Sequence, residues 1–473
     1  MADSGDEVHA WSALRVLEAF RRKEIAPSEY LGVLAARIEQ WQPVVNCLGD
    51  VYLDEALEVA RRSDDAYAHG TARPLEGLPV VVKDETEYAG HRTTNGSLLW
   101  TDWVPEQSDP LVERLLDAGA VIHARGLTPE FSSAFWCHSR LWGVTRNPWN
   151  PAYDVSGSSG GSAAALAAGL TPLATGSDIG GSIRTPASVC GVVGVKPPSG
   201  RIPMAGLYGR VDWCSVGPLA RTAADCALVV DAVSGHHPGD HFSLREPTRI
   251  GVPSSSAEGL RVAFSPDLGD WPVTSSVRAL ARAAADALAD AGAVVEDVDL
   301  VVTREEVRRA GDAHHRALMV ADLVEAVGDR RADCCGYSLH WIDTVNDPPD
   351  PATFLEGRRI EVAVSARIDR VLADHDVLLT PAMCLPAFPA GYDEQTYTLD
   401  GVERDVLHDL HLTEVFNVAN RCPVVTVPVG RSSGGVPVGL QVVGRTYDDA
   451  TALRVAAALQ AAVPQPAVAP FPG

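Results

Sequence analysis

The segment 154–186 constrains this chain more than any other stretch. It opens with Asp154-Val155-Ser156-Gly157-Ser158-Ser159-Gly160-Gly161-Ser162 and closes with Asp178-Ile179-Gly180-Gly181-Ser182-Ile183-Arg184-Thr185-Pro186. Glycine permits tight turns and close backbone approach, so several N–H groups can converge on one point at each turn. Such turns need a rigid frame, and the flanking sequence supplies one. Leu78-Pro79-Val80-Val81-Val82-Lys83 is an apolar, β-branched run that reads as a strand buried on both faces and ending in a charge. Residues 160–168 read as an alanine-rich helix opened by small residues, and 171–176 as a strand running into a glycine turn at 178–181.

Strand and helix alternate along the rest of the chain. Apolar spacing of three and four predicts helices between 11 and 65, restarted at Pro27-Ser28. Ser108-Asp109-Pro110 opens a helix to Ala118, a short strand follows at 120–123, and Thr222-Ala223-Ala224-Asp225 starts a helix to Ala232. Residues 234–259, rich in Gly, Pro, Ser and His, read as a long surface loop. Strands are predicted at 260–264, 294–298, 377–380, 424–429 and 436–443; helices are predicted at 275–291, 307–323, 358–373 and 447–462. A loop, Asp347-Pro348-Pro349-Asp350-Pro351, separates the two long helices, and 464–473 is a Pro-rich tail. The expected architecture is α/β, a single large domain over 1–473 with a mixed central sheet flanked on both faces by helices.

Charge and hydropathy narrow the function classes. Acidic side chains outnumber basic ones 62 to 39 in the 473 residues, a net charge of −23, with no run of Lys or Arg. Such a surface repels phosphate, so no nucleic-acid partner is expected. No stretch of about 18 apolar residues occurs. Met1-Ala2-Asp3-Ser4-Gly5-Asp6-Glu7 is acidic where a secretory leader is basic, so a cytoplasmic protein without a membrane partner is expected. The nine cysteines include no CxxC pair and read as reduced thiols.

Three chemical readings compete for the two turns. Walker-type phosphate binding needs Gly-Lys-Ser/Thr after the glycines, and neither turn has a lysine there. Gly157-Ser158-Ser159-Gly160-Gly161 formally fits the G-x-S-x-G elbow with Ser159 at its centre, but no later histidine has a distinctive context. The third reading joins Lys83 to the turns as a base. An ordinary lysine is neutral in only about 1 in 2,500 molecules at pH 7, a deficit of about 4.6 kcal/mol that desolvation can offset. By pattern alone, pairing of Lys83 with Asp84 or Glu85 at a strand end explains it equally well.

Leu78-Pro79-Val80-Val81-Val82-Lys83-Asp84, Gly157-Ser158-Ser159-Gly160-Gly161-Ser162 and Asp178-Ile179-Gly180-Gly181-Ser182-Ile183-Arg184 together resemble, in order and separation, the three blocks of the amidase signature family. The likeness extends from Pro27 to about Lys196 and returns at Phe416-Asn417, Cys422-Pro423-Val424, Pro428 and Pro437-Val438-Gly439-Leu440-Gln441. It implies an amidase with a catalytic core over residues 75–225, hydrolysing a linear or cyclic carboxylic amide through an acyl-enzyme, with no cofactor and no metal. It implies Ser182 as nucleophile, Ser158 as a bridging serine behind a cis peptide bond, and Lys83 as base. The N–H groups of Ile179, Gly180, Gly181 and Ser182 form the implied oxyanion hole, where losing one donor typically costs about 2.7–4 kcal/mol of barrier. A serine attacks poorly until a base takes its proton, and an amine leaves poorly until it receives one, so one proton relay serves both steps. Ser159 is then a neighbour of the relay, and Asp178 and Arg184 support the loop.

Three positions depart from the family pattern. Ser156 stands for a glycine, Ser177 for the common threonine, and Ala124-Arg125-Gly126-Leu127 for a block that usually ends in asparagine. Leucine there removes a side-chain hydrogen bond, so a changed loop is expected. Substrate choice is expected from 93–103, 131–142, 204–213 and the surroundings of Trp341, whose aromatic content suggests an apolar pocket. The partner expected is a small-molecule amide, with a homodimer the one oligomer considered. Two alternatives stay open: a glutaminase-like A subunit of a tRNA-dependent amidotransferase, and a non-catalytic binding relative. His408 and His411 lack a third metal ligand at a recognisable spacing, and His314-His315, Cys334-Cys335 and Cys190 read as fillers.

Overall fold

The computed structural model describes residues 7–345 and 349–471. The start of the acidic amino terminus, part of the 347–351 loop and the last two residues of the tail lie outside the described residues.

A mixed sheet, eleven-stranded among the described residues, runs through the molecule. Its order is Leu48–Val51, Val121–Gly126, Pro79–Lys83, Leu173–Asp178, Ser215–Ala220, Val193–Lys196, Val424–Arg431, Pro437–Gly444, Val377–Pro381, Arg261–Phe264 and Val294–Asp297. Val80, Val81 and Val82 are at most 1% exposed, as a β-branched run covered by helices must be. Helix Leu53–His69 packs on Val121–Gly126, while helix Gly160–Ala167 packs on Pro79–Lys83, Val121–Gly126 and Leu173–Asp178.

Two pairings position the chemistry. Pro79–Lys83 and Leu173–Asp178 run parallel, with Val80 opposite Leu173 and Val81 opposite Ala174. Their carboxyl ends therefore emerge at the same edge, bringing Lys83 level with the turn that carries Ser182. Helix Gly160–Ala167 then carries the other serine turn to that edge. Its approach depends on glycine: a Cβ on Gly161 would stand 2.1 Å from the Leu127 nitrogen and 2.4 Å from the Cys47 oxygen. Leu127 holds this junction through its backbone, donating to Cys47 at 2.9 Å and accepting from Gly161 at 3.0 Å. Its buried side chain forms part of the core, so the departure from asparagine leaves the chain trace anchored.

Local signals account for most helix starts. Asp109 accepts from the Leu111 N–H at 2.9 Å and Thr222 from Asp225 at 3.0 Å, both as predicted. Other expectations need correction. The 11–65 stretch contains an edge strand, Leu48–Val51, hidden by its Gly-Asp centre in a helical background. The strand predicted at 171–176 runs over Leu173–Asp178, absorbing the start of the expected turn. Strands Val193–Lys196 and Ser215–Ala220 were not anticipated; the second carries Pro218 and Gly217, residues that usually argue against a strand. The predicted helix 307–323 is two, Arg304–Leu318 and Val320–Val327. The helix expected from 358 begins at Pro351, because Asp350 caps it and proline suits the first helical position. Helix Gly336–Val345 was also missed. All nine cysteines are free and buried.

Substituting Gly161→Ala forces backbone apart at the helix–strand junction. The expected loss is about 1–3 kcal/mol of unfolding free energy, read by urea titration.

Candidate active site

Lys83 ends its strand fully buried, and its Nζ meets oxygen on three sides. Nζ donates to Ser158 Oγ at 2.6 Å and to Ser177 Oγ at 2.8 Å, and lies 3.0 Å from Glu85 Oε2. The Lys83 backbone N–H also donates to Thr175 Oγ1 at 3.2 Å, tying the two parallel strands at this point. Lys83 thus reaches the serine turn and also pairs with Glu85, one of the two strand-end carboxylates considered from sequence. Asp84 turns away to Thr94 and to Arg125, 3.6 Å off.

The peptide bond between Gly157 and Ser158 is cis. A Cβ on Gly157 would stand 2.4 Å from the Trp136 oxygen and 2.5 Å from the Ala134 oxygen, so only glycine fits beside that segment. The neighbouring Ser159 N–H donates to the Ser182 carbonyl at 3.0 Å, which joins the two turns directly. Ser159 Oγ donates to the Ser177 carbonyl at 3.3 Å. The Ser182 hydroxyl makes no hydrogen bond among the described residues, and Ser182 is 6% exposed.

Four consecutive N–H groups, from Ile179 to Ser182, donate to no protein acceptor among the described residues. Gly181 has φ of 137°, and a Cβ there would meet Thr413 Oγ1 at 2.1 Å. That backbone form is open to glycine and strained for other residues. Thr413 pins the turn by donating to the Gly180 carbonyl at 2.6 Å.

Beneath the turn, Arg184 and Asp178 form a fully buried pair at 2.7 Å. Arg184 also donates to Asn417 Oδ1 at 2.6 Å, to Gln441 Oε1 at 2.8 Å and to the Thr413 carbonyl at 2.6 Å. Burial alone raises the Asp178 carboxyl, but Arg184 and Asn417 hold it below the ordinary carboxylate range. This network joins Phe416-Asn417 and Gln441 to the turn that carries Ser182, which explains structurally why these distant stretches belong with the three blocks.

Beside Ser182 lies a cavity of about 50 Å³, walled by Phe135, Ile179, Met319, Trp341 and Leu407. Glu414 and His315 also line it. Burial, with Asp312 and Asp405 nearby, pushes the Glu414 carboxyl up to about 8, and burial drops the His315 ring to about 3. A second cavity of about 280 Å³ is lined by Glu85, Thr93, Trp100, Trp103 and Leu207 among others. Ser132 links the two, lining the first and donating to Glu85. Phe135, Trp341, Trp100 and Trp103 all come from the stretches expected to shape substrate choice.

His411 stacks on Phe135 at 3.6 Å and His408 lies 3.9 Å from Asp312, with no group of three ligating side chains among the described residues.

Comparison with known proteins is consistent along the chain. A model of the Amidase family matches residues 29–453. The chain belongs to the amidase signature family. It is 31% identical over 486 residues to the glutamyl-tRNA(Gln) amidotransferase A subunit of Carboxydothermus hydrogenoformans, covering 96% of this chain and 97% of that one. It is 32% identical over 484 residues to the protein of the same name from Geobacter metallireducens, covering 94% and 96%. Among solved structures, a bacterial aryl acylamidase of the amidase signature enzymes aligns with a TM-score of 0.90 at 26% identity over 97% of each chain. A 6-aminohexanoate cyclic dimer hydrolase aligns at 0.84 and 29% identity, over 98% and 99%. Membership of an amidohydrolase family agrees with an α/β fold whose sheet edge gathers Lys83 and two serine turns.

Four residues of this site were missed from sequence. Ser177 passed as a tolerable variant, yet it shares the Lys83 ammonium. Glu85 entered only as an alternative partner. Glu414 and His315 carried no signal, because helix and loop reach the cavity from far along the chain.

Arg184→Met leaves the Asp178 charge buried and unpaired. The expected outcome is a loss of about 3–5 kcal/mol in chemical unfolding, far more than a surface charge removal would give.

Proposed function

We propose that this protein is an amidase that cleaves a carboxylic amide through an acyl-enzyme on Ser182. The observation that carries the reading is Lys83 Nζ bonded at 2.6 Å to Ser158, beside the turn bearing Ser182. In the proposed cycle, neutral Lys83 takes the Ser158 proton while Ser158 takes that of Ser182. Rotation of the unbonded Ser182 side chain toward Ser158 closes this chain when substrate is present. Ser182 Oγ attacks the carbonyl carbon, and the resulting oxyanion takes hydrogen bonds from the open N–H groups of Ile179, Gly180, Gly181 and Ser182. As the C–N bond breaks, the Lys83 ammonium returns a proton through Ser158 to the leaving nitrogen. Water then repeats the sequence on the ester, giving carboxylate and free Ser182. Glu85 stabilises the ammonium that proton capture creates.

The apolar walls beside Ser182 support an aliphatic or aromatic amide as substrate, linear or cyclic. The likeness to an aryl acylamidase and to a cyclic dimer hydrolase supports the same class. We take residues 1–473 as one amidase domain acting in the cytoplasm on a small molecule, without nucleic acid or membrane.

The identity to amidotransferase A subunits favours a second reading, a glutaminase-like chain that releases ammonia to partner proteins. Ammonia release from glutamine and from aliphatic and aryl amides separates the two. The chain alone is expected to prefer an apolar amide over glutamine by at least about tenfold in kcat/KM. Activity confined to glutamine, appearing only with added partners, would establish the second reading.

Ser182→Ala is expected to abolish labelling by a fluorophosphonate, with an unchanged circular dichroism spectrum. Labelling that survives this change refutes the assignment. Lys83→Ala is expected to lower kcat by about 10²–10⁴.

A further inference from the structure

The cavity beside Ser182 contains two polar groups that have no hydrogen-bond partner among the described residues. Glu414, on the short turn Leu412–Glu414, is 4% exposed, and its carboxyl joins no hydrogen bond or ion pair among the described residues. His315 stands on helix Arg304–Leu318, and its buried Nε2 is also without a partner. The two are neighbours over a bare patch of that helix. A Cβ on Gly311 would lie 2.6 Å from Glu414 Oε1 and 3.9 Å from His315 Cε1, so glycine leaves the space the carboxyl occupies.

Buried polar groups are almost always hydrogen-bonded, and an exception calls for an occupant. Here both exceptions line the space next to the proposed nucleophile, which the substrate must enter. The occupant's charge follows from the surroundings. Burial keeps the imidazole neutral and the carboxyl mostly protonated at neutral pH. The cation acting on Glu414, Arg184, is already held by Asp178 and Asn417. A protonated carboxyl and a neutral imidazole offer donors and acceptors without net charge. An ionic substituent would be stripped of water among Phe135, Met319, Trp341 and Leu407.

We infer that Glu414 and His315 determine specificity in this site, selecting an amide whose apolar arm ends in an uncharged hydrogen-bonding group such as a hydroxyl or a second carboxamide. The inference rests on the acyl-enzyme reading of Ser182.

The test uses aliphatic amides of matched length ending in methyl, hydroxyl, carboxamide, ammonium or carboxylate. Each is measured for how far it slows fluorophosphonate labelling of Ser182, so turnover is not required. Hydroxyl and carboxamide ends are expected to protect at about tenfold lower concentration than methyl, with both charged ends weakest. Glu414→Leu is expected to reverse the order in favour of methyl, whereas Glu414→Gln, a neutral donor and acceptor, keeps it. Best protection by methyl or a charged end in the unmodified protein, or an unchanged order in Glu414→Leu, overturns the inference. Labelling that proceeds equally with every compound overturns it too, while leaving the acyl-enzyme reading intact. Failure of the unmodified protein to label at all removes that reading, and this inference with it.

Discussion

A buried lysine amine has to be held by polar partners, and Lys83 Nζ is held by Ser158, Ser177 and Glu85 at 2.6, 2.8 and 3.0 Å. Much of the fold serves to bring those oxygens to it. Ser177 arrives because its strand pairs in parallel with the one that Lys83 ends. Ser158 arrives because helix Gly160–Ala167 approaches closely enough for Gly161 to touch the backbone of Leu127 and Cys47. Glu85 is two residues along from the lysine itself. Each partner comes from a different constraint, so the arrangement is over-determined in the way a dry, charged site must be.

Below this layer, Arg184 does for the Ser182 turn what the sheet does for the lysine. Its guanidinium draws together Asp178, Thr413, Asn417 and Gln441, residues separated by most of the chain. Thr413 in turn fixes the Gly180 carbonyl, leaving the N–H groups of the turn free to face a ligand. The residues that hold the fold together here are therefore the ones on which the proposed chemistry depends. The price is a buried ion pair whose partial removal is costly.

How far this was legible in the sequence depended on the range of the interactions. Val80-Val81-Val82 and the two Gly/Ser turns, which the structure brings with Lys83 to one sheet edge, carry local signatures of burial and tight turning, so the α/β class could be read from them. Edge strand Leu48–Val51 and strand Ser215–Ala220 could not, because Gly and Pro at their centres contradict the usual strand pattern while pairing partners override it. Ser177 looked like a neutral change, since only the parallel register reveals that its hydroxyl faces Lys83. Glu414 and His315 were invisible for a related reason: a carboxyl and an imidazole lying over Gly311 meet only in three dimensions.

In the proposed relay Ser158 takes the single Ser182 proton as it passes its own to Lys83, and the same chain run backwards protonates the leaving nitrogen. The most direct measurement compares an amide with an ester of the same acyl group in Ser158→Ala. An alkoxide leaves without the protonation that an amine requires, so amide turnover should fall by about 10²–10⁴ and ester turnover by much less. Equal losses for the two substrates, or amide turnover unchanged by the substitution, would contradict the relay.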